Sequence, residues 1–395
     1  MKKLEKSVPV IRFKGFSEAW EQRKFIEIIN RLSKTSNSSI LPKVEYEDII
    51  AEEGRLNKDI SNKFDSRKGI LFQPKNILYG KLRPYLKNWL YPDFKGVAVG
   101  DFWVFEAIEA TPRFIYNLIQ SDSYQKVAND TAGTKMPRSD WTKVSNSSFF
   151  IPKESSEQKR IGTFFKQLDD TIAFHQRKLD TLKQMKKGLL QQMFPKSEED
   201  VPKIRFADFD EEWYQRKLGE EFEKINERND GSFGKTHWIS VAKMYFVEPN
   251  KVLSNNIDTR TYVMRKGDIA FEGHSNTDFK FGRFVANDIG PGIVSELFPV
   301  YRHKTNYDNN YWKNAIQLEH IMAPIYSKSI TSSGNSSNKL DSKHFLNQKI
   351  YIADFEEQEK IGSIFKQLDN TIILYQNKLN KFDILKKAYL QTMFI

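Results

Sequence analysis

The chain has 395 residues, of which 39% are hydrophobic, enough for two or more domains with their own cores. Its 62 Lys and Arg exceed its 51 Asp and Glu, and the net charge of +11 favours a polyanionic partner, although ordinary basic proteins share this balance. The absence of cysteine excludes disulfides and thiolate metal sites. No run reaches the ~18 apolar residues of a membrane span, and residues 1–6 lack the apolar stretch of a signal peptide. We therefore expect a cytoplasmic protein without membrane contact.

The sequence near the beginning of the chain is repeated near its middle. Val-Pro-Val-Ile-Arg-Phe at 8–13 becomes Val-Pro-Lys-Ile-Arg-Phe at 201–206, and Trp-Glu-Gln-Arg-Lys at 20–24 becomes Trp-Tyr-Gln-Arg-Lys at 213–217. Internal repetition of this kind defines the architecture before any local pattern does. The sequence therefore predicts a duplicated frame.

A second repeated segment predicts two long helices. Residues 161–194 and 361–394 share 18 identities in 34 positions, including Phe-Lys-Gln-Leu-Asp in both. Apolar residues recur at alternating steps of four and three, which is typical of a coiled-coil seam. The predicted seam consists of Ile161, Phe165, Leu168, Ile172, His175, Leu179 and Leu182, and of Ile361, Phe365, Leu368, Ile372, Tyr375, Leu379 and Phe382.

Each predicted helix is roughly 50 Å long at 1.5 Å per residue. A helix with one apolar stripe needs a partner, and a duplicated unit tends to pair with its own copy about a two-fold axis. We expect two antiparallel helices with one globular insert at each end. Lys186 and Lys386 interrupt both seams at the same place; they either extend out of the seam to solvent or face phosphates.

Two inserts of domain size separate these anchors, at 26–154 and 219–354. Short β-rich runs at 76–79, 97–99, 102–105, 268–271, 282–285 and 298–301 alternate with helical stretches at 112–128 and 308–321. The fold class is thus α+β: two mixed α/β globular domains joined by two long antiparallel helices. The predicted division is 1–154, 155–194, 195–354 and 355–395. The two inserts are only weakly similar in sequence and share few side chains. This pattern suits two domains of different specificity better than one duplicated catalytic site.

Two stretches of the first insert have the composition of a nucleic-acid contact. One alternates cations with aromatic and apolar residues, and the other is a basic loop of small residues. Such cations neutralise phosphates or contact guanine in the major groove, whereas the alternative is a basic strand and a surface turn. The candidates are Lys81, Arg83, Tyr85, Lys87, Lys135, Arg138 and Ser139.

The second insert offers polar loops instead. Asn and Ser contact base edges, but they also populate ordinary turns. The candidates are His274, Asn276, Arg283, Ser333, Asn335 and Lys339.

Several catalytic signatures are absent from the sequence. There is no Gly-x-x-x-x-Gly-Lys-Ser/Thr phosphate loop, no Asn-Pro-Pro-Tyr or Asp-Pro-Pro-Phe run of an amino-methyltransferase, and no His-Glu-x-x-His. Acidic residues are plentiful, so their spacing alone does not exclude the carboxylate cluster of a nuclease. We predict no catalytic residue and no metal ligand.

The layout resembles the specificity subunit of a type I restriction–modification enzyme. The resemblance rests on the repeated Trp-x-Gln-Arg-Lys, on residues 79–87, and on Glu-Gln-x-x-Ile-Gly at 157 and 357, each leading into a helix that ends in Leu-x-x-Met-Phe. It covers the whole chain, although the inserts match only loosely.

The resemblance implies a non-catalytic DNA-binding subunit. Each insert would be a target recognition domain that contacts one half of an asymmetric bipartite site. The helices would set the spacer and dock two methyltransferase subunits, which carry S-adenosylmethionine. Two restriction subunits would use ATP and Mg²⁺, and this chain itself would bind no cofactor. Two alternatives remain: a stand-alone metal-dependent nuclease, and a scaffold that never touches DNA.

Overall fold

A computed structural model of the chain describes residues 7–131, 135–196, 199–253, 257, 260–333 and 337–395, without the side chains of Ser332 and Ser333. The chain forms two compact units, Met1–Gln176 with Asn377–Ile395, and Arg177–Gln376. Each unit therefore combines one insert with part of each long helix. The predicted four-part division of the chain stays a prediction.

The described residues of the first unit form twelve short strands and five helices, the last of which continues into the second unit. Its strands are β1 (Glu21–Lys24), β2 (Ile29–Leu32), β3 (Thr35–Ser36), β4 (Lys43–Val44), β5 (Ile49–Ile50), β6 (Arg55–Leu56), β7 (Gly69–Phe72), β8 (Ile77–Gly80), β9 (Trp89–Leu90), β10 (Gly96–Ala98), β11 (Phe102–Ala107) and β12 (Ser148–Ile151). Its helices are α1 (Phe25–Ile28), α2 (Pro112–Leu118), α3 (Asp122–Ala128), α4 (Trp141–Asn146) and α5 (Ser155–Gln192), with 3-10 turns at Tyr46–Asp48 and Pro84–Leu86.

The second unit follows the same plan. Its strands are β13 (Tyr214–Lys217), β14 (Phe222–Ile225), β15 (Ile239–Ser240), β16 (Tyr245–Phe246), β17 (Thr261–Met264), β18 (Ile269–Glu272), β19 (Arg283–Ala286), β20 (Gly292–Ser295), β21 (Val300–His303), β22 (Ile330–Ser333), β23 (Asn338–Leu340) and β24 (Lys349–Ile352). Its helices are α6 (Leu218–Glu221), α7 (Asn309–Ala315), α8 (Glu319–Ser329), α9 (Ser342–Leu346) and α10 (Phe355–Thr392), with 3-10 turns at Lys235–His237 and Pro249–Lys251. The last part of α10 belongs to the first unit.

The two units share a sheet topology that their sequences barely show. A four-stranded sheet runs β2-β11-β8-β9 in the first unit and β14-β21-β18-β19 in the second. A strand pair joins the two ends of each insert, β1 with β12 and β13 with β24. The antiparallel pair of β10 with β7 corresponds to β20 with β17. The predicted α+β fold with an internal repeat is confirmed.

Each helical stretch predicted in the inserts divides into two helices, α2 with α3 and α7 with α8, and side-chain caps mark some of their starts. The stretch at 112–128 splits into α2 and α3, where the Ser121 hydroxyl accepts a hydrogen bond from the Tyr124 amide at 3.5 Å. In the second insert the Asp308 carboxylate caps α7 by accepting from the Tyr311 amide at 2.7 Å. A side-chain oxygen that satisfies an early N–H starts a helix at a defined residue.

A buried ion pair explains why the start of each half is repeated. The Arg12 guanidinium donates to both carboxylate oxygens of Glu157, at 2.7 and 2.8 Å, and the Trp20 indole donates to the same carboxylate at 3.3 Å. Glu157 is 1% exposed, so its charge depends on these donors. This cluster fastens the N-terminal segment of the first unit to the first turn of α5.

The second unit contains the same cluster in equivalent positions. Arg205 donates to both oxygens of Glu357, each at 2.8 Å, and the Trp213 indole donates at 2.9 Å. Hydrogen bonding to the buried carboxylates raises the pKa of Arg205, as it does for Arg12. The repeated sequence thus preserves a repeated set of contacts.

The long helices each span 38 residues, and they lie antiparallel within both units. In the first unit Phe164 contacts Tyr389, with ring centroids 4.9 Å apart, and His175 stacks on Phe382 at 5.3 Å. In the second unit Phe194 contacts Phe365 at 6.1 Å. The antiparallel helix pair is confirmed.

The predicted seam residues are the less exposed residues of the two helices. Every seam candidate is buried or half-buried, and His175 packs there as part of an aromatic stack. The seam also ends inside the globular cores. Ile161 and Phe165 join the core around Trp20 and Phe114, and Ile361 and Phe365 join the core around Trp213 and Trp312.

The two seam lysines are neither extended to solvent nor facing phosphates. Lys386 is 8% exposed, and its ammonium group lies 2.8 Å from the Asp169 carboxylate in the first unit. Lys186 lies 2.6 Å from Asp369 in the second. Both expectations for these lysines were wrong because the Asp of the repeated Phe-Lys-Gln-Leu-Asp compensates the charge inside the helix pair.

Candidate nucleic-acid interface

The two candidate segments of the first unit meet side by side. Residues 81–87 follow β8, and residues 135–139 precede α4. The Ser139 amide donates to the Lys81 carbonyl at 2.9 Å, and the Arg83 amide donates to the Pro137 carbonyl at 2.7 Å. Backbone hydrogen bonds thus join stretches more than fifty residues apart in sequence. We call the surface formed by 81–87, 135–139 and Asp101 the first recognition surface.

The tip of this surface is a strained turn. A 3-10 turn at Pro84–Leu86 is flanked by Arg83, with φ of 49°, and Lys87, with φ of 55°, both in the left-handed region. Non-glycine residues seldom adopt this region, and strain of this kind clusters at functional sites. The turn exposes Tyr85 to 55% and Leu86 to 39%. The strain therefore holds an aromatic side chain outward on a defined backbone.

The Asp101 carboxylate lies between two cations of this surface. Asp101 Oδ2 is 3.0 Å from Arg138 Nη2, and Asp101 Oδ1 is 3.6 Å from Lys81 Nζ. The Tyr46 hydroxyl donates to the Asp101 carbonyl at 2.5 Å and accepts from the Leu82 amide at 3.1 Å. Burial raises the pKa of Tyr46, so its hydroxyl stays protonated. Neither Asp101 nor Tyr46 was a sequence candidate, because both are far in sequence from the residues that they connect.

The first-unit candidates differ in their surroundings. Arg83 and Lys135 are exposed, and Lys87 is half-buried with its ammonium group 3.2 Å from the Glu52 carboxylate. Ser139 is a correction: it is 6% exposed and its hydroxyl donates to the Ala128 carbonyl at 2.8 Å. Because that hydroxyl is already used inside the fold, Ser139 supports the surface without forming part of it.

The second unit has a corresponding surface after β18. Residues 273–282 form its main loop, and the Asn338 amide donates to the Gly273 carbonyl at 2.9 Å. A Cβ on Gly273 would lie 2.3 Å from the Asn338 carbonyl oxygen, so this close approach requires glycine. We call residues 273–282 with Ser337, Asn338 and Lys339 the second recognition surface.

The side chains of this second surface are polar rather than cationic. The His274 ring hydrogen-bonds the nearly buried Glu272 carboxylate and remains 65% exposed. The Asn276 side-chain oxygen accepts from the Asp278 and Phe279 amides, each at 2.9 Å, and so shapes the loop. Lys339 is exposed on β23.

The remaining candidates of the second unit are Arg283, Ser333 and Asn335. Arg283 donates to the Ala242 carbonyl at 2.5 Å and lies over the Phe279 ring at 4.7 Å, so much of its guanidinium is committed within the fold. Asn335 lies outside the described residues. Ser333 ends β22, and its side chain also lies outside the description.

Comparison with known proteins agrees with this geometry. Residues 17–184 match the family model of the type I restriction modification DNA specificity domain. This stretch is therefore similar to a DNA specificity domain of that family. The resemblance carried by the repeated motifs is thereby confirmed. The matched residues of the specificity domain include the whole first recognition surface.

Solved structures show the same fold over the full chain. The S subunit of a type I restriction-modification system from M. genitalium is 14% identical, with 98% of this chain and 99% of that chain covered and a TM-score of 0.60. A chain from a structure on complex assembly and conformational transition of the type I R-M system is 16% identical, with coverage of 94% and 96% and a TM-score of 0.53. A comparison with curated protein sequences finds no match.

Across the described ranges, no group of three or more His, Asp or Glu side chains is placed to hold a metal ion. Within those same ranges, no helix combines the length and the apolar character needed to cross a membrane.

Proposed function

We propose that this chain recognises an asymmetric bipartite DNA site, with each recognition surface contacting one half. The observation that carries the proposal is the contrast between a duplicated frame and unlike surfaces. The clusters around Glu157 and Glu357 use the same residue types in the same roles, whereas the loops after β8 and β18 share almost no side chains. Two equivalent supports with different contact residues suit two different half-sites.

The chemistry of the two surfaces also differs. The first presents Arg83, Lys135 and Arg138, and an arginine pairs best with the O6 and N7 atoms of guanine. The second presents His274 and Lys339, whose preferred partners in the groove are acceptor atoms and phosphates. Different donors in the two units imply different base sequences in the two half-sites.

The long helices are the proposed docking site for the methyltransferase subunits. Exposed apolar side chains recur at equivalent positions of the repeat, Phe174 with Leu374 and Met185 with Leu385. Equivalent contacts on both copies of the repeat fit two copies of one partner. Two restriction subunits complete the proposed complex. S-adenosylmethionine, ATP and Mg²⁺ belong to those partners, and no cofactor is assigned to this chain.

The helices are also proposed to set the spacer between the half-sites. One heptad inserted between Gln176 and Arg177, and another between Gln376 and Asn377, would leave the contacts within each unit intact because both points divide the units. Seven residues add about 10 Å of helix, close to three base pairs of DNA. We expect a longer spacer or loss of activity. An unaltered spacer in a fully active complex would contradict this role.

DNA binding itself is tested with the assembled methyltransferase complex. Affinity for DNA should fall steeply with salt, because each phosphate contact contributes about 0.9 to the slope of log K against log salt. The purified chain with DNA and Mg²⁺ should neither cleave nor nick. Binding that ignores salt would favour a scaffold, and nicking by the chain alone would favour a nuclease.

A further inference from the structure

Asp101 is an acidic side chain placed between two cations of the first recognition surface. It lies in the turn between β10 and β11, next to Gly100, whose φ of 102° allows the chain to reverse. Its carboxylate is 29% exposed and lies 3.0 Å from Arg138 and 3.6 Å from Lys81. A carboxylate in this place repels phosphate, so it weakens the attraction that draws any DNA to the surface.

The backbone of Asp101 is held as firmly as its side chain. Its carbonyl accepts hydrogen bonds from the Lys81 amide at 2.9 Å and from the Tyr46 hydroxyl at 2.5 Å. Tyr46 packs edge-on against Phe102, with ring centroids 4.7 Å apart. The carboxylate therefore has a fixed position relative to both loops of the surface.

Asp101 leaves Arg138 able to bind a second acceptor. The guanidinium has five N–H donors, and Asp101 engages it through Nη2. Arg138 remains 55% exposed in this arrangement. An arginine held by a carboxylate loses less conformational entropy when it forms the paired hydrogen bonds that guanine accepts.

We propose that Asp101 is a positioning and specificity-determining residue of the first half-site. It orients Arg138 toward a base edge, and the forked N–H donors of arginine favour guanine as that base. Its negative charge disfavours binding through phosphates alone. Specificity gained by penalising the wrong partner is a recognised strategy of interfaces. The inference rests on the proposed function, because it presupposes that the first surface contacts one half-site.

The test compares Asp101→Asn with the wild type in the methyltransferase complex. Competition binding would use three duplexes: the cognate site, one with the first half-site scrambled and one with the second scrambled. We expect the variant to bind the first-half-scrambled duplex more tightly and the cognate duplex more weakly. Discrimination at the first half-site should fall about tenfold, the size of one good base contact, while discrimination at the second half-site should not change.

Salt dependence separates this role from a merely structural one. Removing the negative charge should steepen the slope of log K against log salt by up to about 0.9. The control is Asp208→Asn, which removes the same charge from an exposed pair with Lys360 in the second unit and should reproduce the wild type. A second variant, Arg138→Lys, keeps the positive charge and therefore the salt slope, but it lacks the forked N–H donors of arginine. It should lose discrimination between the duplexes while its salt dependence stays the same.

The outcomes distinguish the inference from the function on which it rests. Wild-type discrimination in Asp101→Asn, or an equal loss of affinity for all three duplexes, would overturn the role of Asp101. A wild-type complex that does not distinguish the first-half-scrambled duplex from the cognate one would overturn the proposed function as well.

Discussion

The ammonium group of Lys386 lies 2.8 Å from the carboxylate of Asp169, inside the antiparallel helix pair of the first unit. The second unit repeats the pair with Lys186 and Asp369 at 2.6 Å. The side chains of the first pair are 10% and 23% exposed, and those of the second are 23% and 28% exposed. Charges in a seam need such partners, because an uncompensated buried charge is strongly destabilising.

Lys386→Met should destabilise the first unit through its unpaired Asp169. We expect the free energy of unfolding to fall by about 2 kcal/mol, below the 3–5 kcal/mol of a fully buried pair because Asp169 keeps some solvent. Adding Asp169→Leu should restore much of the loss. Urea denaturation gives these values, and Lys186→Met is the matched control with a smaller expected loss. Equal losses for the two lysine variants would contradict the importance of burial.

Glu357→Gln should disrupt the cluster that joins Arg205 and Trp213 to α10. Glu357 is fully buried, so Arg205 would be left with a neutral partner and stability should fall by about 3 kcal/mol. The double variant with Arg205→Met should lose less than the sum of the single losses, which a double-mutant cycle measures. The exposed pair of Lys360 with Asp208 is the control, and Lys360→Met should change stability by less than about 0.5 kcal/mol.

His303 should make the second unit sensitive to acid. Its ring stacks on Tyr307 with centroids 3.8 Å apart, and burial lowers its pKa to about 3 from an ordinary value of 6.5. Between these two values the unfolded chain binds a proton that the folded chain does not. The contribution of His303 to the free energy of unfolding is therefore fully present above pH 6.5. It falls by about 1.4 kcal/mol per pH unit as the pH drops toward the pKa of the folded state.

His303→Phe keeps an aromatic ring and removes the proton. Between pH 6.5 and 5, the free energy of unfolding of the variant should fall by about 2 kcal/mol less than that of the wild type. Urea denaturation at both pH values measures the two losses. Identical losses in the two proteins would show that His303 does not remain neutral in the folded state.

Arg83→Gly should separate backbone strain from DNA contact. Glycine accepts the left-handed conformation at no steric cost, so stability should stay the same or rise by up to about 1 kcal/mol. DNA affinity of the complex should nevertheless fall, because an exposed cation and a fixed turn are both lost. Lys75→Gly is the matched control: it too has a positive φ, of 71°, and is exposed, but it lies outside the recognition surface. Weaker DNA binding in both variants would count against the assignment of Arg83.

The frame was predictable from the sequence, whereas the recognition surfaces were predictable only in part. The seam from Ile161 to Leu182 follows a period that depends on local sequence alone, and the repeat supplied an independent copy. Arg12, Trp20 and Glu157 stood in the repeated segments, yet their contact joins residues more than 130 positions apart. Nothing local marks such a pair.

The recognition surfaces depend on backbone pairing between distant loops. Lys81 and Arg138 were found by their charge, but Asp101 lies 37 positions from Arg138 and carries no local signature. Ser139 looked like a loop hydroxyl because its sequence is small and polar, and only the folded chain reveals that this hydroxyl donates to the Ala128 carbonyl. Composition therefore selected the candidate segments without identifying which of their side chains face outward.

The most direct measurement is a methylation map of a cell that carries this chain with its partner subunits, repeated after residues 26–154 are replaced by the equivalent segment of a relative. The account predicts one asymmetric site with two unlike halves, of which the replacement changes one half and leaves the other half and the spacer intact. A replacement that left both halves unchanged, or altered both together, would contradict two independent recognition surfaces on a common frame.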